Sequence, residues 1–161
     1  MDFAPEIIDG TVVLNAVEIC STGNDCRPCC EVAVGIHNWL VSYEIPYLIV
    51  DFQDEKEVCS AILTELLQLN KRLNSPFIFC GLMETPRKFL KSYLYSDHPF
   101  FDIPEEAVKY LKQSRPELIM ADLSQIQEGE VIPCIRSRLY RSEGADLDSD
   151  NEESSEEASD I

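Results

Sequence analysis

Hydrophobic and polar positions change from a strand-like to a helix-like period several times along the chain. Residues 11–17 (TVVLNAV) follow the turn signal Asp9-Gly10 and are rich in β-branched side chains, so we predict the first strand there. The loop-like residues 21–27 come next. A helix should then start near Pro28 and reach about Tyr43, because its apolar residues fall on one face.

The middle of the chain carries the clearest pattern. Residues 48–52 (LIVDF) form a short apolar run, as expected of a central strand covered on both faces. Residues 77–80 (FIFC) read as another buried strand. Between the two strands we predict an amphipathic helix with a broad apolar face, made of Val58, Ile62, Leu63, Leu66, Leu67, Leu69 and Leu73.

Further alternation after residue 80 sets the fold class. We predict a helix from about Pro86 to Tyr95, a short strand within residues 99–103 and a helix that opens at residues 102–106, with proline and acids in its first turn. Strands that alternate with helices predict a single α/β domain. We expect a mixed β-sheet with a parallel centre and about four packed α-helices.

The predicted domain ends near residue 114, and two segments follow it. Residues 115–142 form an extension to which the sequence assigns no structure. Residues 143–161 are acidic, rich in serine and nearly free of large apolar side chains, so they bury too little surface to offset chain entropy. We expect this tail to be disordered.

Charge and composition exclude several partners. The formal net charge is −17, of which nine negative charges lie in residues 143–161, leaving −8 for the rest. A surface of this sign repels nucleic-acid phosphates and anionic lipids, so we expect no nucleic-acid partner. No apolar run is long enough for membrane insertion and no export signal is seen, which predicts a cytoplasmic protein with its seven cysteines reduced.

The junction after residue 52 is the strongest candidate for a functional site. It joins a buried strand to a helix whose first turn carries Ser60 and Thr64. The partial positive charge at a helix amino-terminus can hold a phosphate or dock a partner. The alternative is that both are ordinary first-turn residues, and that the acids of the loop (Asp54, Glu55 and Glu57) only stabilise the helix start.

Four segments resemble the STAS domain, the family of anti-sigma factor antagonists and of the cytosolic ends of sulfate transporters. They are YLIVDF, LTELLQLNKRL, PFIFCGL and FDIPEEAVKYL, and the resemblance covers residues 10–113. It implies a single STAS-like α/β domain. In bacterial antagonists an Asp-Ser-Ser/Thr-Gly motif at this helix start carries the phosphorylated hydroxyl group. Here the matching residues are Cys59, Ser60, Ala61 and Ile62, so Ser60 is the remaining candidate for phosphorylation.

The resemblance also implies a function without catalysis. Members of the family bind partners through this helix start and the loop before it. We therefore expect a regulatory protein–protein interaction domain that needs no cofactor or metal, with an anti-sigma factor, a kinase-like protein or another regulator as its protein partner. The partner-binding residues would be Asp54, Glu55, Lys56, Ser60 and Thr64.

The cysteines support a rival interpretation. Cys26-Arg27-Pro28-Cys29 is a CxxC motif that opens a predicted helix, where thioredoxin- and glutaredoxin-like thiol–disulfide proteins carry theirs. Ser75-Pro76, just before a predicted strand, could imitate the cis-proline of such proteins. Zinc binding by the four thiols at positions 20, 26, 29 and 30 is disfavoured, because only one CxxC knuckle is present. We predict no metal site.

Overall fold

The computed structural model describes residues 2–18, 27–55, 58–120 and 122–132. Its strands are β1 (Asp2–Ile8), β2 (Thr11–Glu18), β3 (Leu48–Asp51), β4 (Phe77–Cys80) and β5 (Phe100–Phe101). Its helices are α1 (Arg27–Ser42), α2 (Ser60–Arg72), α3 (Glu84–Lys91) and α4 (Pro104–Ser114), followed by a short 3-10 turn at Pro116–Leu118.

The predicted α/β architecture is confirmed. The five strands form one mixed sheet in the order β1-β2-β3-β4-β5, in which β1 is antiparallel to β2 and the other neighbours are parallel. All four residues of β3 and of β4 are buried. That burial explains the apolar runs at residues 48–50 and 77–80, and Asp51 is the one buried acid of these two strands.

The first strand, β1, is an addition to the predicted elements. It pairs with β2 across a two-residue turn in which Asp9 and Gly10 have φ values of 46° and 70°. Two positive φ angles in succession characterise the type I′ turn that suits a tight hairpin. Pro5 lies within β1, and proline argues against a central strand; the sheet accepts it because β1 is the first strand in the sheet order.

The helices cover both faces of the sheet. Each of α1, α2 and α3 connects two neighbouring parallel strands in the same direction, and right-handed crossovers place such helices on one face. Helix α4 packs against β1, β3, β4 and β5 and covers the other face. Its inward side chains are Ala107, Val108 and Leu111, all buried. Among the described residues, no helix is long and apolar enough to cross a membrane.

The carboxyl end of the sheet is the end at which β2, β3, β4 and β5 finish. Because these strands are parallel, the loops after β3, β4 and β5 all leave from this end. Strand β1 runs the other way, so its first residues lie there too, as the pairing of Phe3 with Ala16 shows. The predicted functional junction after residue 52 is therefore at the carboxyl end.

Residues 115–120 and 122–132, the described part of the extension, pack on the domain. The side chains of Ile126 and Ile132 are buried in the common core. The amide groups of Gly129 and Ile132 donate hydrogen bonds to the carbonyl oxygens of Pro5 and Phe3, at 2.8 and 2.9 Å. The tail for which we predicted disorder, residues 143–161, lies outside the described residues.

One buried hydrogen bond joins β2 to the residues before β3. The hydroxyl group of Tyr47, which is 1% exposed, accepts a hydrogen bond from the amide of Val12 at 3.0 Å. Thr11, the residue before Val12, is fully buried, and its hydroxyl group has no hydrogen-bond partner among the described residues. Of these two hydroxyl groups, only that of Tyr47 has a hydrogen bond to lose.

We expect Tyr47→Phe to lower the free energy of unfolding by about 1–3 kcal/mol, because it leaves the Val12 amide buried without an acceptor. Thr11→Val, the matched control, removes a hydroxyl group that makes no bond and should leave stability equal or higher. Urea denaturation of both variants measures the difference. A Tyr47→Phe chain as stable as the wild type would contradict the assignment.

Candidate functional site

The site is the corner formed by residues 53–64, hereafter the β3–α2 corner. It follows Asp51, the last residue of β3, which is 7% exposed. The Oδ1 atom of Asp51 accepts a hydrogen bond from the amide of Gln53 at 3.0 Å. An aspartate that bonds the backbone two residues ahead turns the chain sharply, and here it directs the loop away from the strand.

Two successive residues of the corner have left-handed backbone conformations. Gln53 has a φ of 52° and Asp54 a φ of 56°. The amide of Asp54 donates to the carbonyl oxygen of Gly81 at 2.8 Å, and the amide of Glu55 donates to that of Phe52 at 3.0 Å. These bonds hold the backbone of Gln53 and Asp54 in a left-handed conformation that residues other than glycine, asparagine and aspartate rarely adopt.

Gly81 makes the close approach between the two loops possible. It has a φ of 59°, and a Cβ atom placed on it would overlap Oδ1 of Asp51 and lie 2.8 Å from the amide nitrogen of Gln53. Its own amide donates to the carbonyl oxygen of Phe101 at 3.1 Å. The turn after β4 thus links the corner to the end of β5.

Helix α2 begins with a thiol cap. Cys59 is the N-cap residue, and its Sγ atom accepts a hydrogen bond from the amide of Ala61 at 3.4 Å. Sulfur is a weak acceptor, so this cap stabilises the helix less than an aspartate or serine would. The first turn of α2 contains no acid. Asp54 lies in the loop instead, and Glu57 lies outside the described residues.

The predicted partner-binding residues are mostly accessible. Asp54, Ser60 and Thr64 are exposed and Glu55 is half-buried, whereas Lys56 lies outside the described residues. The hydroxyl group of Thr64 donates to the carbonyl oxygen of Ser60 at 2.8 Å, so its proton is used within the helix. Ser60 is the first residue of α2, where the amide groups of a helix point outward.

The carboxyl end of the sheet is electrostatically negative around Asp51. Burial raises the pKa of Asp51, the hydrogen bond from Gln53 lowers it, and the negative charges of Asp54, Glu6 and Glu105 raise it further. The neighbouring thiol of Cys80 is also buried, and burial together with the charge of Asp51 raises its pKa. Cys80 therefore stays protonated at neutral pH and is a poor nucleophile.

The rival redox motif is only partly within the described residues. Cys26 lies outside them; Cys29 belongs to the first turn of α1, and its side chain is not described. The bond between Ser75 and Pro76 is not the cis-proline considered above, since no peptide bond of the described residues is cis. In the same residues, no group of three or more histidine, cysteine or acidic side chains is placed to hold a metal ion.

Sequence reasoning selected the exposed residues of the corner and missed the two that shape it. Asp51 was taken only as part of an apolar strand, and Gly81 only as a strand terminator. The sequence contains a signal that could have identified them, because Asp51 and Gly81 each follow the apolar part of a predicted strand. Parallel strands place such residues at the same end of a sheet. The pairing of Asp51 with Cys80 shows this register.

Comparisons of the chain with family models, with curated proteins and with solved structures find no match.

We expect Gly81→Ala to lower the free energy of unfolding by about 3 kcal/mol or more, because a methyl group would strain the left-handed backbone and displace Asp51. Gly129→Ala is the matched control, since Gly129 has a φ of 77° but no atom within 4 Å of the added group. It should cost only about 1 kcal/mol, the strain alone. If chemical denaturation shows that both variants lose the same free energy of unfolding, the packing of Gly81 against Asp51 is not tight.

We expect Asp51→Asn to stabilise the chain at neutral pH. Because the folded pKa of Asp51 is raised, its contribution to stability is full below the unfolded pKa and is lost as pH rises through the folded pKa. Asparagine keeps the acceptor for Gln53 without the charge. Its advantage in free energy of unfolding should therefore be absent at acidic pH and grow toward pH 7, as measured by denaturation at several pH values.

Asp122→Asn is the control of opposite sign. The hydrogen bonds from Ser124 lower the pKa of Asp122, so its contribution is present above the unfolded pKa and is lost as pH falls. This variant should be no more stable than the wild type at neutral pH. The same pH profile in both variants would contradict the assignment to Asp51.

Proposed function

We propose that the chain is a non-catalytic regulatory protein–protein interaction domain, similar to the STAS domains of anti-sigma factor antagonists, and that it docks a protein partner through the β3–α2 corner. The observation that carries the proposal is the contrast between a fixed backbone and exposed side chains. The backbone of Gln53 and Asp54 is fixed by bonds to Asp51 and Gly81, whereas the side chains of Asp54 and Ser60 face solvent.

Backbone hydrogen bonds at Gln53 and Asp54 suit docking, because little conformational entropy is lost at these residues on binding. The side chains of Asp54 and Ser60 lie outside the buried core and are therefore accessible to another molecule.

The corner favours a partner that brings positive charge to the loop and an acceptor group to the helix start. Asp54 is exposed next to the buried Asp51, and Glu6 and Glu105 add negative charge nearby. A lysine or arginine side chain of the partner would find carboxylates there. The amino-terminus of α2 offers amide groups to an aspartate, a glutamate or a carbonyl group. The partner surface should therefore combine both chemistries.

Cys80 and His98, which belong to residue types that enzymes often use, pack as structural residues in the described part of the chain. Cys80 is fully buried, and its thiol stays protonated. The ring of His98 packs against Phe79 and Phe100, with centroids 5.7 and 5.4 Å apart. Burial lowers the pKa of His98, so the imidazole is neutral at pH 7. We further propose that the protein is cytoplasmic. Its acidic net charge disfavours a nucleic-acid partner.

The test first identifies the partner. A photo-crosslinking amino acid at Ser60 should capture a protein in cells that express the chain, while the same group at Asp97 should not. Asp97 is exposed as well, but it precedes β5 and lies at the opposite end of the sheet.

Affinity then tests the corner with purified partner. Asp54→Lys should raise the dissociation constant about 10-fold or more, because it reverses a charge in the contact, whereas Asp97→Lys should change it less than about twofold. Isothermal titration calorimetry measures both. Equal affinities would remove the corner from the interface, and insulin reduction that is lost in Cys26→Ser would replace docking by thiol–disulfide chemistry.

A further inference from the structure

The carboxyl end of the sheet exposes an apolar surface beside the β3–α2 corner. Val17 at the end of β2 is 49% exposed, Met83 after β4 is 42% exposed and Ile103 after β5 is 48% exposed. Asp54 and Glu105 lie at the same end and are exposed too. We call these five residues the carboxyl-end surface.

Negative charges surround Asp51 at this end of the sheet. The charges that shift the pKa of Asp51 are those of Asp54, Glu6 and Glu105, all negative. Arg87, a cation on α3, is already paired with Asp102 at 2.6 Å. An occupant of the surface should therefore carry positive charge together with apolar side chains.

The chain itself is directed toward this surface by residues 128–132. A carboxylate oxygen of Glu128 accepts a hydrogen bond from the amide of Ile7 at 2.7 Å. The amide of Gly129 then bonds Pro5, and that of Ile132 bonds Phe3. The segment thus runs along β1 from Ile7 toward Phe3, and Phe3 lies at the carboxyl end of the sheet.

The residues that follow have the required composition. Residues 133–142 (PCIRSRLYRS) contain three arginines and no acid, and they carry three large apolar side chains. Arg136, Arg138 and Arg141 form the only cluster of three arginines within ten residues of the sequence. The positive charges are Arg136, Arg138 and Arg141, and the apolar side chains are Ile135, Leu139 and Tyr140.

The distances allow contact. Neighbouring strands lie about 4.8 Å apart, so the end of β3 is about three spacings, or about 14 Å, from the segment beside β1. An extended chain covers about 3.4 Å per residue, so four residues span that distance. Arg136 is the fourth residue after Ile132 and can therefore reach Asp54. Leu139 and Tyr140 come later and can reach the loops after β4 and β5.

We propose that residues 133–142 dock on the carboxyl-end surface of their own chain, with the arginines against Asp54 and Glu105 and the apolar side chains against Met83 and Ile103. The segment would compete with a partner for the β3–α2 corner, and this regulatory consequence rests on the proposed function. The contact itself does not, because it is a property of the free protein.

The direct test uses the isotopically labelled full chain without a partner. Replacing Arg136, Arg138 and Arg141 together by glutamate should shift the amide resonances of Asp54, Met83 and Ile103. Raising the salt concentration to about 1 M should produce similar shifts in the wild type, because screening weakens exposed charge pairs. The control replaces Lys71, Arg72 and Lys91, which are exposed near the ends of α2 and α3 away from this surface, by glutamate and should not shift these resonances.

Three results would overturn the contact. They are unchanged resonances at the carboxyl-end surface, equal shifts in the control variant, or shifts confined to the groove of about 480 Å³ lined by Trp39 and Tyr43. A well-dispersed spectrum shows that each variant is folded. A charge swap gives independent support, since Asp54→Lys added to the triple glutamate variant should restore part of the wild-type contact.

Competition is measured separately once a partner is known. If the segment covers the surface most of the time, the triple glutamate variant should bind the partner about threefold to tenfold more tightly than the wild type. Unchanged affinity would overturn competition. A chain that shows the contact but has no partner at the corner would instead contradict the proposed function, so the two failures are distinguishable.

Discussion

The close packing of Gly81 against Asp51 is the constraint on which the candidate site depends. Only a residue without a side chain allows the turn after β4 to come so near the carboxylate at the end of β3. That approach brings the carbonyl oxygen of Gly81 within 2.8 Å of the Asp54 amide nitrogen and so fixes the backbone of the corner at Asp54. The position of the exposed Asp54 therefore depends on the packing of Gly81 against the buried Asp51.

Burial of Asp51 shows that this corner is not arranged for maximum stability. Asp51 is buried near three other acids, which makes its charged form costly, and its pKa is raised for that reason. The left-handed conformations of Gln53 and Asp54 add strain. Strained and poorly solvated groups concentrate at functional sites, where the surrounding fold holds them in place. The corner fits that pattern, and this supports the docking role proposed for it.

The edge of the sheet at β1 needs hydrogen-bond partners for its backbone groups. The outer edge of β1 would expose unpaired backbone groups, and exposed edges invite pairing with other chains. Residues 128–132 satisfy three of these groups, with bonds to Phe3, Pro5 and Ile7. Proline at position 5 has no amide hydrogen, so it leaves no donor to satisfy there. The same bonds direct the following basic residues toward the acidic end of the sheet, which connects edge protection with the proposed self-contact.

The sequence by itself determined most of the local structure. Strands β2 to β5 and the four helices follow from the hydrophobic period, because burial on one or both faces leaves a direct trace in the order of residues. Strand β1 is harder to predict from the sequence, because Pro5 lies within it. Its pairing with β2 can be predicted only if the hairpin at Asp9-Gly10 is recognised. Only the tertiary structure decided that Gly81 packs against Asp51 and that residues 128–132 form hydrogen bonds with β1. These contacts join residues far apart in the chain, and no local period records which distant backbone groups will become neighbours.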